Sequence, residues 1–297
     1  MSITCTRESK MLNLEAVSKS IDAPEVRSLI KDLGVPARPS ALIDVQNELR
    51  RDEPRMHVLA QIVASDVAMS GALLKVANSP WMGLSRQAET IQQAFMLLGA
   101  ARCEQLLMEI ALRNALPAEG PALVRFWDVS SKRSHAMWSL APRVGLSPAL
   151  AQTVGLFADV GIPLLVKRFQ SPPYLETLAL ANRSDECFTS IEQSRHQTDH
   201  AIVGALLARS WGISQTATLA IRLHHDYELL KEAQPQMVAD LVALCLVVEH
   251  IIQRFQGLNQ HDEWAKGGEA ALRVLALSQS DLESWCDDLF DQFSVEG

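Results

Sequence analysis

The sequence predicts an all-α protein, on three observations. Apolar residues recur at helical spacing in segment after segment. β-branched residues fall inside those periods, and the Asn-Gly and Asp-Gly pairs that turn hairpins are absent. Helix caps and breakers stand between the periodic segments at intervals typical of helices.

Taken in order, residues 1 to about 20 are weakly patterned. Val26, Leu29, Ile30 and Leu33 then mark a helix that Gly34 ends. Pro36 and Pro39 predict an extended link, because proline disfavours helix in the residue before it. Ser40 is the expected N-cap of a helix carrying Leu42, Ile43, Val45 and Leu49. A short helix with Leu59 and Val63 leads through a Ser65-Asp66 cap into another with Met69, Leu73 and Ala77. That one stops at Asn78-Ser79-Pro80. Thr90 and Gln93 form a capping box for Ile91, Phe95 and Leu98, with Gly99 at the helix end. Cys103, Leu106, Leu107 and Ile110 continue the helical pattern.

Pro117, Gly120 and Pro121 mark the expected boundary between two halves. A helix from Phe126-Trp127 to Val144 follows, closed by Gly145. Ser147-Pro148 opens the next, as a cap followed by proline at the first helical position. Glu192 is expected on a short helix. His200, Val203, Gly204, Leu207 and Trp211 share one helical face. The helix after Gly212-Ile-Ser214 is expected to bear His224 and His225. Ser280 and Glu283 read as a capping box for a last helix, with Leu282, Trp285, Cys286, Leu289 and Phe293 inward.

The 297 residues suffice for one large core or two modest ones. Hydrophobic residues make up 48% and the mean hydropathy is +0.05, values of a globular chain rather than a disordered one. The net charge of -8 and the absence of a basic run argue against binding a phosphate backbone or an anionic membrane. They argue equally against a DNA-binding helix-turn-helix regulator. Five widely spaced cysteines without a Cys-x-x-Cys read as reduced thiols, and a cytoplasmic protein is expected. The N-terminus lacks the apolar core of a signal peptide. The apolar run 237–252 is interrupted by Asp240 and Glu249 and is expected to be a buried helix, not a membrane span.

The chemistry centres on residues 155–161, Gly-Leu-Phe-Ala-Asp-Val-Gly. An Asp between apolar residues ahead of a Gly resembles a histidine-aspartate metal site, but Ala158 stands where the His would be. Such a site holds metal with neutral imidazoles and carboxylates from several helices, and the metal activates water. Asp159, His200, His224, His225 and Asp226 are the candidates. On a helix, His224 and His225 would lie about 100° apart, so at most one would face a given centre. His57, His135, His196, His250 and His261 lack ligand-like spacing. Cys103 and Cys245 sit on apolar faces and read as core. Asp287, Asp288 and Asp291 read as a solvated face. Phosphate-binding loops and the Gly-x-Ser-x-Gly elbow are absent.

The ordered set of segments resembles the HDOD family (HD-related output domain) of bacterial signalling proteins, over roughly residues 24 to 230. It comprises Leu33-Gly-Val-Pro-Ala-Arg-Pro39, Ile62-Val-Ala-Ser-Asp66, Leu73-Leu-Lys-Val-Ala-Asn-Ser79 and Ile91 with Phe95-Met-Leu-Leu-Gly99. In the second half it continues through Phe126-Trp127, Leu140-Ala141, residues 155–161, Glu192, Asp199-His200, Gly204, Trp211 and His224-His225. The resemblance implies an all-helical fold related to the HD and HD-GYP phosphodiesterases, which use metal to hydrolyse cyclic dinucleotides. It implies an extension over 1–23 and an HDOD domain over 24–230. That domain divides into an N-terminal helical half (24–117) and a degenerate HD-like half (122–230). The apolar periodicity of 231–297 favours packing of its helices on the latter half over a separate lobe. Carried over by position, the first metal-binding His falls at Val129, the His of the pair at Ala158, and the usual Lys at Ile162.

With those three positions apolar, the expectation is a non-enzymatic regulatory domain with no cofactor, no metal and no catalytic residue. It would act through protein–protein contact. Expected partners are receiver, cyclic-di-GMP-turnover or kinase domains, with no nucleic acid and no membrane insertion. Asp159 is then expected to cap or tether helices. The alternative is a residual metal-dependent phosphohydrolase or nucleotide-binding site on Asp159, His200, His224 and His225. Convergence of these four within about 5 Å around an open cleft favours the alternative. Dispersal or internal hydrogen bonding counts against it.

Overall fold

The structure, a computed structural model, describes residues 13–24, 32–116, 119–231, 236–257 and 262–294. The helix expected through Val26, Leu29 and Ile30, together with Cys5, Pro117 and His261, lies outside the described residues. The described residues form helices and no strand; an isolated antiparallel bridge joins Gln170 and Pro173.

The first half contains α1 (Leu14–Ile21), α2 (Ser40–Leu49), α3 (Met56–Ala64), α4 (Val67–Ala77), α5 (Ile91–Leu98) and α6 (Ala100–Ala115). The local signals explain most boundaries. The Asn13 side chain caps α1, Asp66 caps α4 by accepting from the Met69 amide at 2.9 Å, and both halves of the Thr90–Gln93 capping box are present on α5. Ser40 does not cap α2. It is the first helical residue, preceded by an extended Pro39 without a side-chain cap. The preset φ of Pro39 fixes that entry, so the serine is displaced by one position. Gly99 has φ +80 and breaks α5 from α6.

The second half contains α7 (Pro121–Leu140), α8 (Pro148–Phe157), α9 (Gly161–Arg168), α10 (Tyr174–Ala181), α11 (Phe188–His196), α12 (His200–Ser210) and α13 (Gln215–Leu223). The last stretch adds α14 (Gln236–Phe255), α15 (Asp262–Val274) and α16 (Gln279–Ser294). The capping box of α16 sits two residues earlier than expected. Ser278 Oγ accepts from the Asp281 amide at 3.1 Å, and Asp281 accepts from the Ser278 amide at 2.8 Å. Asp281 is the nearer carboxylate, so it takes the role expected of Glu283, which pairs with Arg254 instead.

A continuous apolar core runs through all three parts, from Leu42 and Leu59 through Met137, Val154 and Leu207 to Leu244 and Leu289. α7 lies along α8, and α14 packs on α7, α8 and α13. Pro148–Arg168 is long and apolar enough to cross a bilayer by composition. It is broken between α8 and α9, however, and 72% of its most apolar 18-residue window is buried in the core. The extended link after Gly34 is fastened to the end of α12. Trp211 Nε1 donates to the Pro36 carbonyl at 2.9 Å, and Arg38 donates to the Trp211 carbonyl at 2.6 Å.

Candidate functional site

Asp159 occupies the turn between α8 and α9. Two glycines let other elements reach it. A Cβ on Gly161 would stand 2.3 Å from the His200 carbonyl oxygen, so only glycine admits the start of α12 here. A Cβ on Gly155 would meet the Arg133 carbonyl at 3.1 Å, which sets how closely α7 approaches α8. His200 is the first residue of α12, which Asp199 caps by accepting from the Ile202 amide at 2.8 Å.

His224 and His225 depart from expectation. α13 ends at Leu223, so both residues lie in the turn beyond it. His224 folds back, with Nδ1 2.7 Å from the Ile221 carbonyl oxygen. The helical spacing of about 100° therefore does not apply, and both rings reach the same centre, 4.1 Å apart. Ligand atoms of Asp159, His200, His224 and His225 all lie within 4.8 Å of one another. Asp226 is not in that group.

The hydrogen bonds fix the protons. The Ile221 carbonyl only accepts, so His224 Nδ1 carries its proton and Nε2 is an acceptor. His200 Nδ1 donates to the buried Glu192 carboxylate at 2.8 Å, and the Tyr174 hydroxyl donates to the same carboxylate. His200 Nε2 stands 3.2 Å from His224 Nε2 and 3.3 Å from Asp159 Oδ1. It must donate toward both acceptors, which makes His200 an imidazolium.

The titration behaviour follows from these contacts. Burial alone would lower His200, but the Glu192 charge and the Asp159 hydrogen bond raise it well above its ordinary value. Burial pushes His224 down to about 3, helped by its His225 neighbour, so it stays neutral. Asp159 is held well below the usual carboxylate range. Burial opposes this, but Arg133 and the hydrogen bond from His200 prevail.

Arg133 is the residue the sequence reading missed. It is fully buried on α7, and its Nη1 stands 2.5 Å from Asp159 Oδ2 while Nε donates to the Gly155 carbonyl at 2.8 Å. Its Nη2 finds no acceptor among the described residues. Burial would lower this guanidinium, but Asp159 raises it further above its usual range. Val129 lies four residues earlier on α7, so Arg133 sits on the same face one turn along. Ala158 is buried in the core, and Val129 and Ile162 are half-buried against it. Asp159 therefore tethers α7, α12 and the turn after α13.

His225 is held separately. Its Nδ1 lies 2.8 Å from Glu263 on α15, and its ring stacks on Phe188 at 4.6 Å. Burial opposes ionisation of Glu263, but the His225 hydrogen bond draws it down to about 2. The remaining described histidines stand apart. His57 is exposed, His135 pairs with Glu109, His196 lies 2.8 Å from the Thr177 hydroxyl, and His250 stacks on Trp264. Cys103 and Cys245 are buried, and burial pushes each thiol up to about 12. Asp288 on the acidic face pairs with Arg143.

The cluster satisfies the convergence criterion but not that of an open cleft. His200 is 0% exposed, His224 3%, and 17% of the Asp159 side chain reaches solvent. Its donor chemistry fits one cation. Asp159 Oδ1, His200 Nε2 and His224 Nε2 stand 3.2 to 3.3 Å apart, roughly the edge that bonds of about 2.1 Å would span. Each ring is also oriented through its other nitrogen, as ligating histidines are. A cation here would displace the single proton that His200 now shares between two acceptors.

Over most of its length the chain is 22% identical to an uncharacterised protein of Treponema pallidum (strain Nichols), across 88% of this chain and 50% of that protein. It thus spans about half the length of that relative. A solved structure from Shewanella amazonensis SB2B, named provisionally as a phosphohydrolase, superposes with TM-score 0.69 at 20% identity. It covers 91% of this chain and 98% of that one. One from Marinobacter aquaeolei VT8, named provisionally as a signal transduction protein, gives TM-score 0.70 at 20% identity, over 97% of this chain and 66% of that one. At such identities the likeness establishes the all-α fold. The HDOD domain model matches residues 35–227, well over half of the sequence. The chain belongs to the HDOD domain family.

Proposed function

We propose that the chain is a non-catalytic regulatory domain of bacterial signal transduction that acts in the cytoplasm by binding other proteins. One observation carries the reading: an internal cation, Arg133, is fixed on Asp159 at the polar centre. Charge that a hydrolase would take from metal is supplied by the chain itself, and His200 adds a second internal cation. A hydrolytic centre further needs open coordination positions and groups that stabilise phosphoryl charge. Val129, Ala158 and Ile162 supply neither. The name of the Marinobacter aquaeolei relative agrees with a signalling role. The buried, unpaired Cys103, Cys245 and Cys286 suit a reducing compartment. Receiver, cyclic-di-GMP-turnover and kinase domains are the partners to test. Purified chain incubated with cyclic di-GMP and manganese is expected to give no turnover. Turnover that disappears in Asp159→Asn would overturn the proposal.

The tripod of potential ligand atoms favours a second reading, a residual phosphohydrolase or nucleotide site. In it Asp159, His200 and His224, with His225 alongside, would hold one divalent cation. The ion would supply Lewis acidity to a phosphoryl oxygen. Glu192, the Ile221 carbonyl and Glu263 would keep the three imidazoles oriented. Calorimetric titration of the chain with zinc, manganese and then nucleotide separates the two readings.

A further inference from the structure

A cavity of about 650 Å³ lies away from the histidine cluster, where the loop after α4 meets α6, α7 and α16. Trp81, Met82, His135 and Trp138 give it an aromatic and apolar wall, and Asp291 reaches it from α16. The wall is firmly backed. Trp81 stacks on Phe293 and tilts against His135, each with ring centroids 5.5 Å apart. Asn78 holds the loop that carries Trp81 through paired hydrogen bonds with the Ala88 backbone.

Arg102 lines the same cavity and is the unusual group in it. It is 7% exposed, and its guanidinium lies 4.5 Å from the centre of the Trp138 ring. Its hydrogen-bond partner is the neutral Gln152 side chain, and among the described residues no carboxylate hydrogen-bonds to it. Burial pushes it down to about 10, with Glu109 opposing from a distance. Buried guanidinium groups are ordinarily matched by an anion, since an unmatched buried charge is costly. Here the missing partner faces a space of ligand size bounded by two indoles.

We propose that this cavity binds a small planar aromatic anion, whose ring packs against Trp81 and Trp138 and whose negative group pairs with Arg102. A nucleotide and an aromatic carboxylate share that chemistry. An occupant would touch the first half, α7 and α16 together, which places it where binding can alter how those parts meet. The proposal is independent of the histidine cluster.

Calorimetry on the full chain tests it with two matched pairs, guanosine against 5′-GMP and indole against indole-3-acetate. In at least one pair the anion should bind one to one, about tenfold or more tighter than its neutral partner. The pair that responds identifies the source of the ligand. Arg102→Met should erase the preference for the anion and Arg102→Lys should restore part of it. Trp81→Ala should weaken the anion about fivefold or more through lost stacking. The proposal is overturned if no probe binds saturably. It is equally overturned if a folded Arg102→Met keeps the preference or, should that variant not fold, if Trp81→Ala binds as tightly as the parent.

Discussion

Two buried polar centres in this molecule settle their charge differently. Around Asp159, charges from α7, the turn after α8, α11 and α12 meet one another. Arg133 and His200 oppose Asp159 and Glu192, and the neutral His224 accepts between them. Around Glu109, the carboxylate is matched by His135 at 3.1 Å, by Arg113 at 3.6 Å and by the Ser131 hydroxyl, and these contacts hold it down to about 2 against burial. About two helical turns away Arg102 is left without an anion beside a cavity. The first centre uses its charges to join elements. The second leaves one charge facing space. A buried ionic group therefore does not by itself mark a site of action; what matters is whether the protein has already answered it.

The largest way to break this contrast is Arg133→Met. Removing one partner of a buried pair typically costs about 3–5 kcal/mol. Urea unfolding of the variant should show a loss of that order. A loss comparable to a surface substitution would mean that Asp159 is not balanced by Arg133.

Acidity tests the same centre through His224. Its folded value of about 3 lies below an unfolded value of about 6.5, so as pH falls the unfolded chain takes up the proton first. Stability present in full above pH 6.5 is then lost progressively toward pH 3. At about 1.4 kcal/mol per pKa unit, roughly 2 kcal/mol should disappear between pH 6.5 and 5 in chelator-treated protein. His200 works the other way, since its raised value gives a contribution present in full below about pH 6.5 and lost as pH rises through the folded value. Urea midpoints across pH 4.5 to 9 should therefore peak near neutrality. His224→Asn should flatten the acid limb, and an unchanged limb would assign it to other groups.

A smaller loss is expected from Gly161→Ala, which pushes a methyl into the backbone of His200. Overpacking of this kind costs about 1–3 kcal/mol. Thermal melts should register it, and a neutral result would mean that α9 and α12 can move apart freely. The smallest effect is expected on the acidic face. Asp288→Asn breaks the Arg143 pair between half-exposed side chains and should change stability by less than about 0.5 kcal/mol.

The same contrast explains what could be read from the sequence. Local rules located Thr90–Gln93, Asp66 and the apolar faces, because those interactions span three or four residues. The motif stretch 155–161 and the family resemblance pointed to Asp159, His200, His224 and His225, which do converge. Arg133 and Glu263 were not legible. Their partners lie 26 and 38 residues away and are chosen by helix packing. The available signal for Arg133 is a charged residue within the apolar face of α7, one turn beyond Val129. The spacing of His224 and His225 differs from the expectation because the helix expected to bear both ends at Leu223, and His224 turns back to bond the Ile221 carbonyl.

The central claim is that internal cations, not a bound metal, balance Asp159. Metal analysis by mass spectrometry of protein purified without chelators tests it most directly. Well under one equivalent of transition metal per chain is expected. One or more tightly held equivalents, lost in Asp159→Asn, would contradict the account and establish the tripod of Asp159, His200 and His224 as a working metal site.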